Sequence, residues 1–319
     1  MNKNVFATIL TYPAPSANYR GESEENRTII QKVTDGRHEY AIISPEAMRN
    51  AMREMLRGFG LPCNRERLHN EDQLAVKFAE YPDPCKFADD FFFGYLLALD
   101  RTKRAEAEKV RGKGYPIKRD SIVRMNLAKS LQPYRHDAVF TQSPKNVESP
   151  WQNADSSALL HRETVDTAFQ YPIALNLLDV LGNHAAGPEE RTRKKWFAAM
   201  LRSIAELTDV AGNHARSLFH MAPASIVIRL TERLVPGYDS YGFRMDEKKN
   251  VTLPEVTQGI VEGDYPGNEF YVAGTIIKQM PNTEQDKLAA KGVHLYRTAD
   301  RALADVSKEV TGIDFLAAK

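Results

Sequence analysis

The chain has 319 residues, 42% of them hydrophobic and 27% charged, which is enough apolar material for one large packed domain or two ordinary ones. Its 43 basic and 42 acidic residues leave a net charge of +1, which argues against a protein that holds nucleic acid by overall basicity. Cys63 and Cys85 form no CxxC pair, so neither a disulfide framework nor a structural zinc site is expected, and a reducing cytoplasm is the natural setting.

In chain order, residues 5–10 read as a first strand ending at Thr11-Tyr12-Pro13. They follow Lys3, but the apolar run is too short for a secretory signal. The stretch from Ala14 to Asp35-Gly36 reads mostly as loop, and 39–43 as a second strand. A helix opens at Ser44-Pro45-Glu46: Ser44 caps free N–H groups, Pro45 suits the first helical position, and Glu46 favours the positive end of the dipole. Met48, Met52, Met55, Leu56 and Phe59 share one face of it. Arg49, Arg53 and Arg57 recur every four residues beside that face and outside it. Residues 60–88 read as an irregular insertion, and the apolar run 91–99 is too short to cross a bilayer, so no membrane partner is expected.

Residues 101–124 hold nine Lys/Arg against three acids, and Gly112, Gly114 and Pro116 mark the segment as loop. Strands are expected at 121–127 and 168–178, with a polar hairpin arm over 139–162 between them. A helix over 188–207 carries Trp196, Phe197, Met200, Leu201 and Ile204; a strand at 224–230 and a helix at 300–310 follow. The class is α+β, with a small sheet core and large excursions.

No nucleophile elbow, Walker loop, dinucleotide fingerprint or HExxH motif is present. Asp89-Asp90 reads as a helix N-terminus or surface turn rather than a metal pair. Gly182-Asn183-His184-Ala185 is echoed by Gly212-Asn213-His214-Ala215, without acidic or cysteine ligands at matching spacing. The arginine repeat has two readings. Guanidinium groups on one helix side suit consecutive phosphates of an RNA strand, and the same spacing also fits a solvated helix face.

Several segments, in order, resemble the DevR-family proteins of type I CRISPR complexes. They are Ala17-Asn18-Tyr19-Arg20-Gly21 with Asn26-Arg27, then 43–53 (Ile-Ser-Pro-Glu-Ala-Met-Arg-Asn-Ala-Met-Arg) and 88–95 (Ala-Asp-Asp-Phe-Phe-Phe-Gly-Tyr). His161-Arg162-Glu163-Thr164 and Gly212-Asn213-His214-Ala215-Arg216 continue the series, which runs from about residue 4 to residue 230. The resemblance implies an RRM-like (ferredoxin-like) palm spanning 1–319 as one domain, with a finger-like insertion at 60–88 and a thumb-like arm at 139–162. It implies a non-catalytic subunit that lines up with copies of itself along CRISPR RNA, beside other Cascade subunits, and presents the guide to a target DNA strand. Ser44, Arg49 and Arg53 match the helix that lies against the guide, and Asn18, Arg20 and Arg27 fall in the loop before it. Charge and location add Lys118, Arg119, Arg124, His214 and Arg216, and Trp151 is a candidate thumb wedge. No cofactor or metal is expected. Three other readings stay open: an endoribonuclease using Asp35, a DNA-binding transcriptional regulator, and a metal-dependent hydrolase using His184, His214 and His220.

Overall fold

A computed structural model describes residues 3–16, 19–24, 27–67, 76–142, 159–182, 187–210 and 219–317. Its centre is a nine-stranded sheet, larger than the small core expected from the sequence. In chain order the strands are β1 (Asn4–Thr11), β2 (Lys32–Thr34), β3 (Glu39–Ile43), β4 (Val123–Met125), β5 (Ala128–Ser130), β6 (Phe169–Asn176), β7 (Pro223–Thr231), β8 (Phe270–Gly274) and β9 (His294–Tyr296). The main helices are α1 (Pro45–Gly58), α2 (Ala88–Phe93), α3 (Arg101–Arg111), α4 (Glu190–Ala205) and α5 (Ala299–Thr311).

The spatial order is β9-β8-β7-β1-β6-β5-β3-β2, with β4 also on β6; the β8–β9 pair is parallel and the other pairs are antiparallel. β1 is flanked on both sides and aligns Ile9 with Tyr171 of β6 and Ile226 of β7. Period two then decides the packing. Val5, Ala7 and Ile9 join Tyr171, Ile173, Ile226 and Ile228 in one core beneath Trp196, Phe197 and Leu201 of α4 and Leu303 of α5. The alternate positions Leu10, Val227 and Val272 form a second core with Tyr238, Phe243 and Leu253. Both faces are thus covered, which is why β7 is buried throughout and reads as a continuous apolar run rather than an alternation.

α1 begins where expected, with Ser44 Oγ accepting from Ala47 N–H at 3.2 Å, and buries Met48, Met52 and Leu56. Two loop expectations are corrected. Residues 101–111 form helix α3, because Asp100 caps Lys103 N–H at 2.8 Å and the breakers Gly112 and Gly114 lie beyond its end. Between β1 and β3 the chain forms strands at Ala14–Ser16, Tyr19–Glu24 and Arg27–Ile30 besides β2. Those three belong to a side sheet built on Leu159–Thr167, which also pairs antiparallel with Asp137–Gln142. Glu163 fastens its base: the carboxylate is 1% exposed, accepts from Ile30 N–H at 2.7 Å and pairs with Lys32 Nζ at 3.2 Å. Among the described residues no helix is long and apolar enough to cross a membrane.

The Ser44 cap is a stability element separable from any surface role. Ser44→Ala should lower unfolding free energy by about 1 kcal/mol in urea titration while leaving the fold intact by circular dichroism.

Candidate nucleic-acid interface

The arginine repeat of α1 is not a uniform solvated stripe. Arg57 turns back, pairing with Glu54 at 3.0 Å and donating to the Arg65 carbonyl. Arg49 and Arg53 instead line a recess of about 390 Å3 together with Arg65, Lys118 and Arg119. Three separate stretches of chain supply these cations: α1, the short strand Arg65–Arg67 of the 60–88 insertion, and the strand Lys118–Arg119. Five cations face two carboxylates, Glu46 and Asp120, so the recess is a positive focus on a neutral chain.

Aromatic rings support three of these cations. The Arg53 guanidinium lies 4.6 Å over Phe93, Arg119 lies 5.6 Å over Phe91, and Arg65 lies 4.9 Å over Phe78. Arg53 is 7% exposed and donates from Nη1 to Asn50 Oδ1 at 2.7 Å. Burial, reinforced by the neighbouring Arg65 charge, lowers its pKa to about 10, so the side chain stays protonated at neutral pH at a cost in solvation. Burial likewise lowers Arg65 and Arg119. The Nε atoms of Arg49, Arg53 and Arg119 are buried without a hydrogen-bond partner among the described residues. Donors desolvated in this way gain most from an incoming anion.

The frame beneath is tight. Gly94 has φ +63°, and a Cβ there would fall 2.2 Å from the Arg119 carbonyl oxygen, so the close approach of these strands requires glycine. Asp89 and Asp90 stand in the first turn of α2, but buried rather than in a surface turn. Asp89 accepts from Asn64 N–H at 2.8 Å and Arg65 N–H at 2.9 Å; Asp90 accepts from Asn64 Nδ2 and Asp83 N–H, each at 2.9 Å. The pair clamps the 60–88 insertion to α2 and sets Arg65 beside Arg53. Burial, with the Asp89 charge adding, pushes Asp90 up to about 6 against the opposing hydrogen bond from Asp83.

The other expected site residues lie elsewhere. Ser44 caps α1 and does not line the recess. Arg124, on β4, lines a cleft on the opposite sheet face with Phe6 and Pro172. Arg20 and Arg27 sit in strands of the side sheet rather than in a loop. Asn18, Trp151, His184, His214 and Arg216 lie outside the described residues. His220 packs edge-on against Tyr12 at 6.1 Å, and among the described residues no three His, Cys, Asp or Glu side chains gather as metal ligands. Arg53 was expected outside the core face and is buried instead, drawn in by Phe93 and Asn50. Arg65 was missed, because the 60–88 insertion carries no helical or strand period to show where its side chains point.

No protein-family model matches the chain. A "CRISPR-associated protein Cas7/Cst2/DevR" of Myxococcus xanthus (strain DK1622) is 27% identical over 302 residues, covering 92% of this chain and 94% of that protein. The chain is similar to the CRISPR-associated Cas7/Cst2/DevR proteins. A solved chain described as "CRISPR RNA-guided surveillance complex" superposes with a TM-score of 0.59 at 14% identity, over 96% of this chain and 99% of that one. Another, described as "CRISPR RNA-guided surveillance complex, pre-nicking", gives 0.64 at 11% identity, over 96% and 100%. At such identities the structural matches establish a shared fold.

The raised Asp90 pKa makes a signed prediction. A carboxyl whose folded pKa exceeds its unfolded value disfavours the folded state when ionised, and that cost is relieved as pH falls through about 6. Relative to Asp90→Asn, the unaltered chain should therefore gain stability between pH 7.5 and pH 5 in urea titrations. A pH-independent gap would contradict it.

Proposed function

We propose that the chain is a backbone subunit of a type I CRISPR RNA-guided complex and holds the guide RNA without cutting it. The observation that carries this reading is the recess of Arg49, Arg53, Arg65, Lys118 and Arg119, five cations against two carboxylates, in which the Arg53, Arg65 and Arg119 guanidinium groups lie over aromatic rings. Phosphate contacts of this kind position a strand without reading its sequence, which is left to pairing between guide and target DNA. The four central strands, in order β7-β1-β6-β5, with α1 between β1 and β5 and α4 between β6 and β7, correspond to an RRM-like (ferredoxin-like) palm. In this reading the chain is one domain, residues 60–88 are the finger, and the arm around 139–162 is the thumb that reaches a neighbouring copy.

The near-zero net charge suits a subunit that stacks on copies of itself and beside other Cascade subunits in the cytoplasm. A role without cleavage is supported by the state of Asp35. It lies in the turn between β2 and β3, paired with Lys129 at 3.5 Å, and its N–H donates to the His38 carbonyl at 3.1 Å. Those contacts suit a turn residue rather than a general base.

Because Arg53 is buried beside Asp89 and Asp90, charge reversal there would disturb the fold as well as binding. The cleaner test is Arg49→Gln with Arg119→Gln. Affinity for guide-like RNA should fall about 10- to 100-fold at 0.1 M salt, and the slope of log K against log salt should drop by about 1.4, near 0.7 per lost phosphate contact on a single strand. Unchanged affinity and slope in a folded double variant would remove the recess as the RNA site.

A further inference from the structure

The face of the sheet away from α1 and α4 carries a cleft that the arginine recess does not use. Gln170 of β6 stands opposite Leu10 of β1 and Lys129 of β5, and its place in the alternation turns it from the core that holds Phe169 and Tyr171. A cleft of about 760 Å3 opens there, lined by Gln170, Lys129, Gln132, Asn126, Tyr40 and Tyr241 among others. Gln170 is 5% exposed, and its Oε1 has no hydrogen-bond partner among the described residues. A buried carboxamide oxygen without a donor weakens a fold and gives nothing in return, so a donor arriving with a ligand is its natural complement.

The surroundings narrow the ligand. Lys129 lies 3.5 Å from Asp35, and Arg244, also in the lining, lies 2.9 Å from Asp239, so these two cations already face carboxylates. The cleft therefore does not suit a phosphate. Gln132 Nε2 donates to the Met245 thioether at 3.5 Å, a weak acceptor that a better one would displace. The Tyr241 hydroxyl donates to the Leu127 carbonyl at 2.7 Å, which fixes that ring across the groove, and Tyr40 lies 3.8 Å beneath the Lys129 ammonium. Flat rings, several carboxamides and balanced charge are the features that recognise a heteroaromatic base through its donor and acceptor edge.

We propose that this cleft binds one nucleobase with an exocyclic amino group, of the adenine type, through Gln170 Oε1. The base comes from a single strand or from a free nucleoside. The cleft and the recess share no residue, so either assignment can fail without the other.

Calorimetric titration of the full chain with adenosine, and with purine riboside that lacks the amino group, tests it. Adenosine should bind saturably and purine riboside at least about tenfold more weakly, as expected where a buried polar group loses its partner. Gln170→Met should lose adenosine binding by at least about tenfold while its melting temperature stays level or rises, because no buried oxygen is left unpaired. If that variant folds poorly, the two nucleosides on the unaltered chain decide the same point. No saturable adenosine binding at millimolar concentration, equal binding of both nucleosides, or full binding by Gln170→Met would overturn the proposal. On the Arg49→Gln, Arg119→Gln variant, in which the recess is weakened, an adenine-containing hexanucleotide that binds well above adenosine assigns the cleft to a strand, and equal affinity assigns it to the free nucleoside. The Arg49→Gln, Arg119→Gln variant should still bind adenosine, which separates failure of the cleft from failure of the recess.

Discussion

The packing of three consecutive phenylalanines in α2 is the contact on which the rest of the site depends. Phe91, Phe92 and Phe93 are all buried, and each has a distinct neighbour. Phe91 meets Trp196 of α4 edge-on at 5.7 Å and Phe92 at 5.0 Å, which anchors the turn in the main core. Phe91 also underlies Arg119, and Phe93 underlies Arg53. A core that holds its shape through aromatic packing thereby holds two guanidinium groups at fixed places in the recess. Gly94 continues the same turn and admits the Arg119 backbone, while Asp89 and Asp90 pin the segment that carries Arg65.

Charge is handled locally in this molecule. The whole chain is close to neutral, and many surface cations are paired, as in Arg202 with Glu206 at 2.8 Å or Arg301 with Asp314 at 3.1 Å. In the recess Arg49 pairs with Glu46 at 3.8 Å and Lys118 with Asp120 at 3.3 Å, which leaves Arg53, Arg65 and Arg119 in excess: burial desolvates these three, and the Arg65 charge further lowers the proton affinity of Arg53. Such a site is unfavourable when empty and becomes favourable when anionic oxygens complete it. Clustering thus gives a near-neutral chain one positive patch while the rest of its charge stays balanced.

Much of the frame was legible in the sequence because local rules dictated it. Ser44-Pro45-Glu46 opened α1 at the expected residue, β3 fell on 39–43, and the apolar periods at 188–207 and 224–230 became α4 and β7. The miss at α3 had a definite cause: glycines just past a helix end were read as marking the whole basic segment as loop, and the Asp100 cap went unread. The strands around Arg20 and Arg27 could not be read, since they exist by pairing with Leu159–Thr167, more than a hundred residues away. Within the site, Arg49, Arg53, Lys118 and Arg119 were each visible as charge, but their convergence was not. Nothing in a four-residue spacing tells that Arg57 turns aside, that Arg53 is buried on Phe93, or that Arg65 arrives on a strand of the 60–88 insertion, paired with Val76–Phe78.

The most direct measurement is to express the chain in a host that carries a CRISPR array and Cascade subunits, purify it, and sequence any nucleic acid it carries. Discrete guide-length RNA, intact and protected in regular steps, is the predicted result. A folded chain, recovered in complex with those subunits and free of RNA, would contradict the account.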